Sequence, residues 1–194
     1  MDVIASISFA VWVVSIVLVL GALAVSIVAR RINEPLIALV ALLPVALAIV
    51  MIAFQFTIPA PAHFLNVLAA LSFAGLAVFA GGPLTALVLR RATRGQRDGE
   101  FGGILVKEKG DRSSREVLRG GAAIGYLERT AIVAAIVVGH PEVVAAVIAI
   151  KGLGRFSELD NAEARERFII GTLTSFLWAG ACAAVIVLPG GALH

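Results

Sequence analysis

Two short stretches carry charged residues inside segments that are otherwise apolar enough to lie in a membrane. Glu128 and Arg129 occur in the run GYLERT, and Lys151 and Arg155 occur in the run IKGLGRF. A charge at the middle of a bilayer is costly, so residues of this kind commonly mark a ligand site, an ion path or a proton path. These four residues are the primary functional candidates.

Helix geometry predicts which of these charges meet. From the tight turn at His140-Pro141, Glu128 lies roughly 17 Å and Lys151 roughly 15 Å along their helices at ~1.5 Å per residue. Both therefore reach similar depth, near the middle of a hydrocarbon core of about 30 Å. We expect Glu128 to pair with Lys151. Arg129 projects about 100° away around its helix and needs a different partner.

The local charge balance is positive, since Glu128 is one acid among three bases. A buried positive excess favours an anion, such as a lipid phosphate, a carboxylate or an inorganic anion. Thr172 and Ser175, three residues apart, would add hydroxyl groups on one helix face. Two alternatives stay open. Glu128 and Lys151 neutralise each other as structural glue while Arg155 extends to the surface, or Glu128 relays protons.

The composition indicates that these residues lie in a membrane protein. The chain is 60% hydrophobic and 15% charged, with a mean hydropathy of +0.99, which is too apolar for a soluble domain of 194 residues. We predict an all-α, polytopic transmembrane bundle that forms one membrane domain over residues 1–194. Its six helices are predicted at 7–29, 35–54, 65–89, 120–139, 142–156 and 168–188, with a cytoplasmic loop at 90–119 that contains a short strand at 104–106.

Proline and glycine predict irregularities in two of these helices. Pro44 should kink the second helix, because proline removes a backbone hydrogen bond. The run Gly81-Gly82-Pro83 should bend or break the third helix. The fifth helix has a purely apolar part of only eight residues, 143–150. It is assigned as a crossing because its neighbours require a return through the membrane.

Basic residues predict the orientation. Six crossings with both termini outside place the flanking lysines and arginines on the inner side: Arg30, Arg31, those of loop 90–119, Arg165 and Arg167. In a bacterium this is the cytoplasmic side of the inner (plasma) membrane. The expected partners are the lipid bilayer, an anionic lipid or small anion, and a second copy or another membrane-complex subunit.

Other chemistries have little support. The sequence contains no glycine-rich phosphate loop, no Ser-His-Asp arrangement and no paired-acid signature, so a non-enzymatic role is favoured and no cofactor is predicted. His63, His140 and Glu142 could approach one another outside and bind zinc, but they follow no recognised spacing, and no metal site is predicted. No nucleic-acid partner is predicted, because a nucleic-acid-binding module is lacking.

Three motifs in the C-terminal part resemble a family of uncharacterised bacterial and phage-associated integral membrane proteins. They are IGYLER at 124–129, AIKGLGRF at 149–156 and IGTLTSF at 170–176. The family pattern is IGxLER, then AxKxxxRF, then IGTLxSF, and the resemblance covers residues 120–176. The positions that match the family pattern and support the choice of candidate residues are Glu128, Arg129, Lys151, Arg155, Gly171, Thr172 and Ser175. The resemblance implies no reaction, because that family has no known activity.

The functional expectation is binding or transport of a small anion or an anionic lipid through the charged intramembrane cluster. Lys151 and Arg155 would contact the anion, Glu128 would hold the bases in place, and Arg129 would be a second contact or a packing tie. The alternative is a structural or accessory subunit of a membrane complex, in which the charges pair with each other or with a partner.

Overall fold

The computed structural model describes residues 3–56, 58–92, 105–106, 115–116, 121–154 and 162–190, and these confirm the all-α class. The six α-helices are α1 (Val3–Arg31), α2 (Leu42–Ala53), α3 (His63–Ala92), α4 (Gly121–Val137), α5 (Val143–Leu153) and α6 (Ala162–Val187). A 3₁₀ helix, Pro35–Ala41, leads into α2, and another, Leu188–Gly190, follows α6. In the connection between α3 and α4, strands β1 (Leu105–Val106) and β2 (Arg115–Glu116) pair antiparallel.

Four of the helical segments are long and apolar enough to cross a membrane, which indicates a membrane protein. They are Val3–Arg31, Pro35–Ala53, His63–Ala92 and Ala162–Val187. Helix α4 has 17 residues, or about 25 Å, and α5 has 11 residues, or about 16 Å. Helix α5 is shorter than the predicted 142–156 and has no buried residue. By itself it is too short to cross a core of about 30 Å.

Contacts between loops and helix ends show which ends of the helices lie together. Ser8 and Trp12, near the start of α1, donate hydrogen bonds to the carbonyls of Pro59 and Ile58, just before α3. At the opposite end, Arg90 near the end of α3 donates to Asn33 Oδ1 just after α1. We call this second end, where α1 and α3 terminate in arginines, the basic end.

The prolines are accommodated differently from expectation. Pro44 is the third residue of α2, because the preceding turns are 3₁₀ and the α-helix begins only at Leu42. Its missing N–H therefore falls in a first turn, where it is not needed, instead of in a helix interior. Helix α3 continues as one helix through Pro83, so a break at Gly81-Gly82-Pro83 is wrong, and the alternative of a bend stays a prediction. The glycines there admit a neighbouring side chain, as described below.

Helix α3 is the centre of the bundle, because it packs against α1, α4 and α6. Small residues allow this close packing. Ala77 and Ala80 of α3 and Ala179 and Cys182 of α6 are all fully buried. Large apolar side chains such as Leu71 are instead exposed on the outside of the bundle, where lipid would cover them.

Helix α6 begins at Ala162, six residues before its predicted start. The added turns contain Arg165, which is exposed, and Arg167, which is buried. Gly171 of α6 packs against Thr85 and Leu89, so the start of α6 lies near the end of α3, at the basic end. Helices α3 and α6 are therefore antiparallel.

Candidate functional site

The predicted ion pair between α4 and α5 is present. Lys151 Nζ lies 2.5 Å from Glu128 Oε2, and the two side chains are 19% and 9% exposed, respectively. The ammonium group also lies 5.3 Å from the centre of the Phe176 ring on α6. Lys151 thus joins α5 to both α4 and α6. Its charge is compensated by Glu128, so the pair as a unit is close to neutral.

Arg129 is the most deeply buried of the candidate charges, at 4% exposure. Its Nε donates to the Val78 carbonyl of α3 at 2.8 Å, and its Nη1 donates to Ser175 Oγ of α6 at 3.1 Å. The side chain therefore links three helices. These bonds use two of the five guanidinium N–H groups. Among the described residues, the other three N–H groups have no hydrogen-bond acceptor and no acid forms an ion pair with Arg129.

Two glycines make room for the Arg129 side chain. A Cβ at Gly81 would lie 2.5 Å from Arg129 Cδ and 3.1 Å from Trp178 Cδ1, so no larger residue fits there without movement. A Cβ at Gly125 would lie 3.1 Å from Arg129 Nη1. In addition, Pro83 has no N–H to bond the Phe79 carbonyl, and Arg129 contacts α3 at the adjacent carbonyl in this weakened turn.

Tyr126, the only tyrosine of the chain, connects Arg129 to a second arginine. The Cζ atoms of Arg30 and Arg129 lie 4.9 Å and 5.5 Å from the centre of its ring, so both guanidinium groups are within cation–π distance of the same ring. Arg30 Nη1 also donates a hydrogen bond to the Tyr126 hydroxyl. We call Arg30, Tyr126 and Arg129 the arginine–tyrosine cluster.

The predicted hydroxyl groups have different positions. Ser175 is buried and accepts the bond from Arg129, whereas Thr172 is half-buried and makes no hydrogen bond in the described part of the chain. A third hydroxyl, Thr85 Oγ1, is buried and has no hydrogen-bond partner in the described ranges. Thr85 lies one turn after Gly81 on α3 and packs against Gly171, one turn before Ser175 on α6.

The remaining candidates from the sequence are Arg155 and the outer group of His140 and Glu142, and neither is part of the arginine–tyrosine cluster. Arg155 lies outside the described residues. On the opposite end of the bundle, His140 Nδ1 lies 2.9 Å from Glu142 Oε1 in the exposed turn before α5. The pKa of the Glu142 carboxyl lies below its ordinary value, because the carboxylate accepts a hydrogen bond from its own backbone N–H and pairs with His140. Within the described residues, no three histidine, cysteine or acidic side chains come together to hold a metal.

Sequence reasoning missed three members of this site. Arg30 was interpreted only as a topology determinant at the end of α1, and Gly81 only as a bend. Tyr126 lies in the run GYLERT beside Glu128 and Arg129, and an aromatic ring near an intramembrane arginine is an available signal. The Arg30 contact had no such signal, because it depends on how α1 packs relative to α4.

Comparison with known proteins adds no relative. No protein-family model, curated protein or solved structure matches the chain. The resemblance to the phage-associated membrane proteins therefore stays a prediction, and the function is argued from the site alone.

The site combines a neutral pair with an uncompensated cluster. Arg30, Arg129 and Lys151 carry three positive charges, and Glu128 carries the one negative charge in contact with any of them. The excess lies in the arginine–tyrosine cluster. Guanidinium groups with free N–H groups bind planar or tetrahedral oxyanions through paired hydrogen bonds. The arrangement is therefore suited to hold an anion.

Proposed function

We propose that the chain is a multi-pass protein of a bacterial inner membrane that binds or transports a small anion or an anionic lipid through its charged intramembrane cluster. The observation that carries the proposal is Arg129, a buried guanidinium that forms no ion pair with any described acid. A buried charge of this kind is unfavourable unless hydrogen bonds, water or a counter-ion compensate it. A bound anion would use the N–H groups that α3 and α6 leave unoccupied.

The positions of the predicted residues refine their roles in this proposal. Arg129 becomes the principal anion contact, with Ser175 orienting it and Thr172 on the same face of α6 as a further hydroxyl. Lys151 is occupied by Glu128, so the pair holds α5 against α4 and balances its own charge. Arg155 follows α5 in the sequence, and we keep it as a candidate contact on the cytoplasmic side of a topology with both termini outside.

Ligand-induced stabilisation tests the proposal, since a ligand that binds the folded state raises its melting temperature by mass action. The purified protein in mild detergent would be melted with increasing phosphatidylglycerol, phosphatidylcholine or sodium phosphate. We expect phosphatidylglycerol or phosphate to raise the Tm and phosphatidylcholine to have no such effect. Arg129→Lys retains the charge but loses the paired donor geometry, so the anion-induced shift should largely disappear.

The control is Arg91→Lys, the same substitution at an exposed position on α3. It should leave the anion-induced shift unchanged. Size-exclusion chromatography and circular dichroism would establish that both variants are folded. An anion-induced shift that is absent in the wild type, or that is equal in the wild type and Arg129→Lys, would refute the proposal.

The Glu128–Lys151 pair favours a second candidate, a structural or accessory subunit of a membrane complex. Mutual neutralisation across α4 and α5 explains these two charges without any ligand. This candidate predicts that the exchange Glu128→Lys with Lys151→Glu restores the stability lost in either single variant. It also predicts that other membrane proteins co-purify in stoichiometric amounts. A wild-type protein that purifies alone and binds anions would exclude it.

A further inference from the structure

Helices α1 and α4 both pack on α3 but make few contacts with each other, and we call the strip of α3 between them the crevice. At the basic end, Arg30 of α1 bridges this crevice to the Tyr126 hydroxyl of α4. Phe79 of α3 lies beside Tyr126, with ring centres 5.4 Å apart, and is 41% exposed. Arg30 and the Tyr126 hydroxyl therefore lie at the rim of the crevice, whereas Arg129, which bonds the Val78 carbonyl, lies deeper, at the level of the exposed Phe79 ring.

The rim has more hydrogen-bond donors than acceptors. Arg30 is exposed, donates one of its five N–H groups to Tyr126 and forms no ion pair with any described acid. Because the Tyr126 hydroxyl accepts this bond, its own proton stays available to a further acceptor. Arg129, 5.5 Å from the centre of the same ring, adds its unoccupied N–H groups. A phosphate group, with several charged oxygens and a tetrahedral shape, matches such a set of donors.

The depth of the rim matches that of lipid headgroups. Arg30 is in the last turn of α1, next to Arg31, and Tyr126 is in the second turn of α4. Tyrosine and arginine are favoured at the membrane–water interface, where lipid phosphates lie. Phe79, toward the interior, would face an acyl chain. A free inorganic anion would have no use for this exposed ring beside the arginines.

We propose that Arg30, Tyr126 and Arg129 form a binding site for the phosphate group of an anionic phospholipid, whose acyl chain lies along the crevice against Phe79. This inference rests on the proposed anion-binding function and names its ligand class, its entry route from the bilayer and a residue, Arg30, that the charged motifs do not contain. The Arg30–Tyr126 hydrogen bond orients the exposed arginine across the rim before the lipid arrives.

Native mass spectrometry of the full chain in mild detergent tests the site. Phosphatidylglycerol, phosphatidylcholine and inorganic phosphate would each be titrated, and bound adducts counted, for wild type, Arg30→Gln and Arg31→Gln. Arg31→Gln is the matched control, because it removes the same charge one residue away at an exposed position that makes no described contact. We expect Arg30→Gln to weaken phosphatidylglycerol binding about tenfold, the effect of one charge-assisted hydrogen bond, and Arg31→Gln less than twofold.

A second variant separates the hydroxyl from the ring. Tyr126→Phe retains the ring beside the two arginines but removes the hydroxyl, so we expect phosphatidylglycerol affinity to fall about threefold. Because Arg30 is exposed, Arg30→Gln should unfold at the wild-type temperature, and a folding defect would not explain its loss of lipid.

The outcomes distinguish the two proposals. If wild type prefers phosphatidylglycerol over phosphatidylcholine but Arg30→Gln and Arg31→Gln bind it equally well, the site proposed here is wrong while the anion-binding function stands. If inorganic phosphate displaces the lipid and its own binding shows the same loss in Arg30→Gln, the ligand is a free anion and the lipid assignment is wrong. If wild type binds no anionic species in preference, the proposed function itself fails.

Discussion

The Glu128–Lys151 pair and the arginine–tyrosine cluster are adjacent on α4 but satisfy their charges in opposite ways. Glu128 and Lys151 neutralise each other across two helices. Arg129, the next residue after Glu128, contacts only neutral groups: a carbonyl, a hydroxyl and an aromatic ring. The difference indicates that the first site stabilises the bundle and that the second is suited to bind an anion. The following variants should separate these two roles.

The largest effect on stability is expected at the pair. Lys151→Met leaves Glu128 buried without a partner, which should lower the free energy of unfolding by about 3–5 kcal/mol. The double variant Glu128→Gln with Lys151→Met should regain most of that loss, because no unpaired charge remains. Equilibrium unfolding in mixed detergent micelles measures both. A single variant as stable as wild type would contradict the structural role of the pair.

The second-largest effect on stability is expected at Gly81, which leaves space for the Arg129 side chain. Gly81→Ala forces a Cβ against Arg129 Cδ, and overpacking of this kind destabilises by about 1–3 kcal/mol. The neighbouring Gly82→Ala is the control, since its Cβ would meet only Arg129 Nη2 at 4.0 Å. Helix propensity makes that change neutral or stabilising by up to about 1 kcal/mol. Equal effects of the two substitutions on unfolding would show that Arg129 does not occupy this space.

Ser175→Ala should have a smaller effect on stability and a clear one on the anion. It removes the acceptor of Arg129 Nη1 and should destabilise by about 1 kcal/mol. The freed guanidinium also loses its orientation, so phosphatidylglycerol affinity should fall severalfold. Thr174→Ala is the matched control, because its hydroxyl bonds the Ile170 carbonyl of the same helix. If Thr174→Ala weakens lipid binding as much as Ser175→Ala does, Ser175 does not orient Arg129.

The smallest effect on stability is expected for His140 and Glu142, the exposed pair at the opposite end of the bundle. This pair serves as a reference, because it does not contact the arginine–tyrosine cluster. His140→Ala should raise the pKa of Glu142 toward, but not fully to, its ordinary value, because the hydrogen bond from its own backbone remains. A carboxyl whose folded pKa is depressed adds stability at neutral pH that is lost as the pH falls through that pKa. Carbon-13 NMR of the glutamate carboxyls measures the titration, and an unchanged Glu142 midpoint in His140→Ala would contradict the contact.

Whether the sequence predicts a given contact depends on how far apart the two residues are along the chain. The Glu128–Lys151 pair is predictable, because a tight turn and a constant helical rise place both residues at one depth. Pro44 is predicted inside a helix because the sequence does not show that the α-helix begins only at Leu42. The space at Gly81 is not predicted, because a local rule for helix breaking says nothing about which neighbouring side chain uses it. The Arg30–Tyr126 contact joins residues 96 positions apart on helices that are not sequential neighbours. Nothing in the local pattern of either helix specifies that approach.

The most direct test of this account compares phosphatidylglycerol affinity in two folded variants by native mass spectrometry. One is Arg129→Lys, and the other is the neutral double variant Glu128→Gln with Lys151→Met. We expect a loss of about tenfold or more in Arg129→Lys, where the paired donors are removed, and a change within about twofold in the double variant. Retained affinity in Arg129→Lys, with a loss in the double variant, would place the anion at Lys151 and contradict the account.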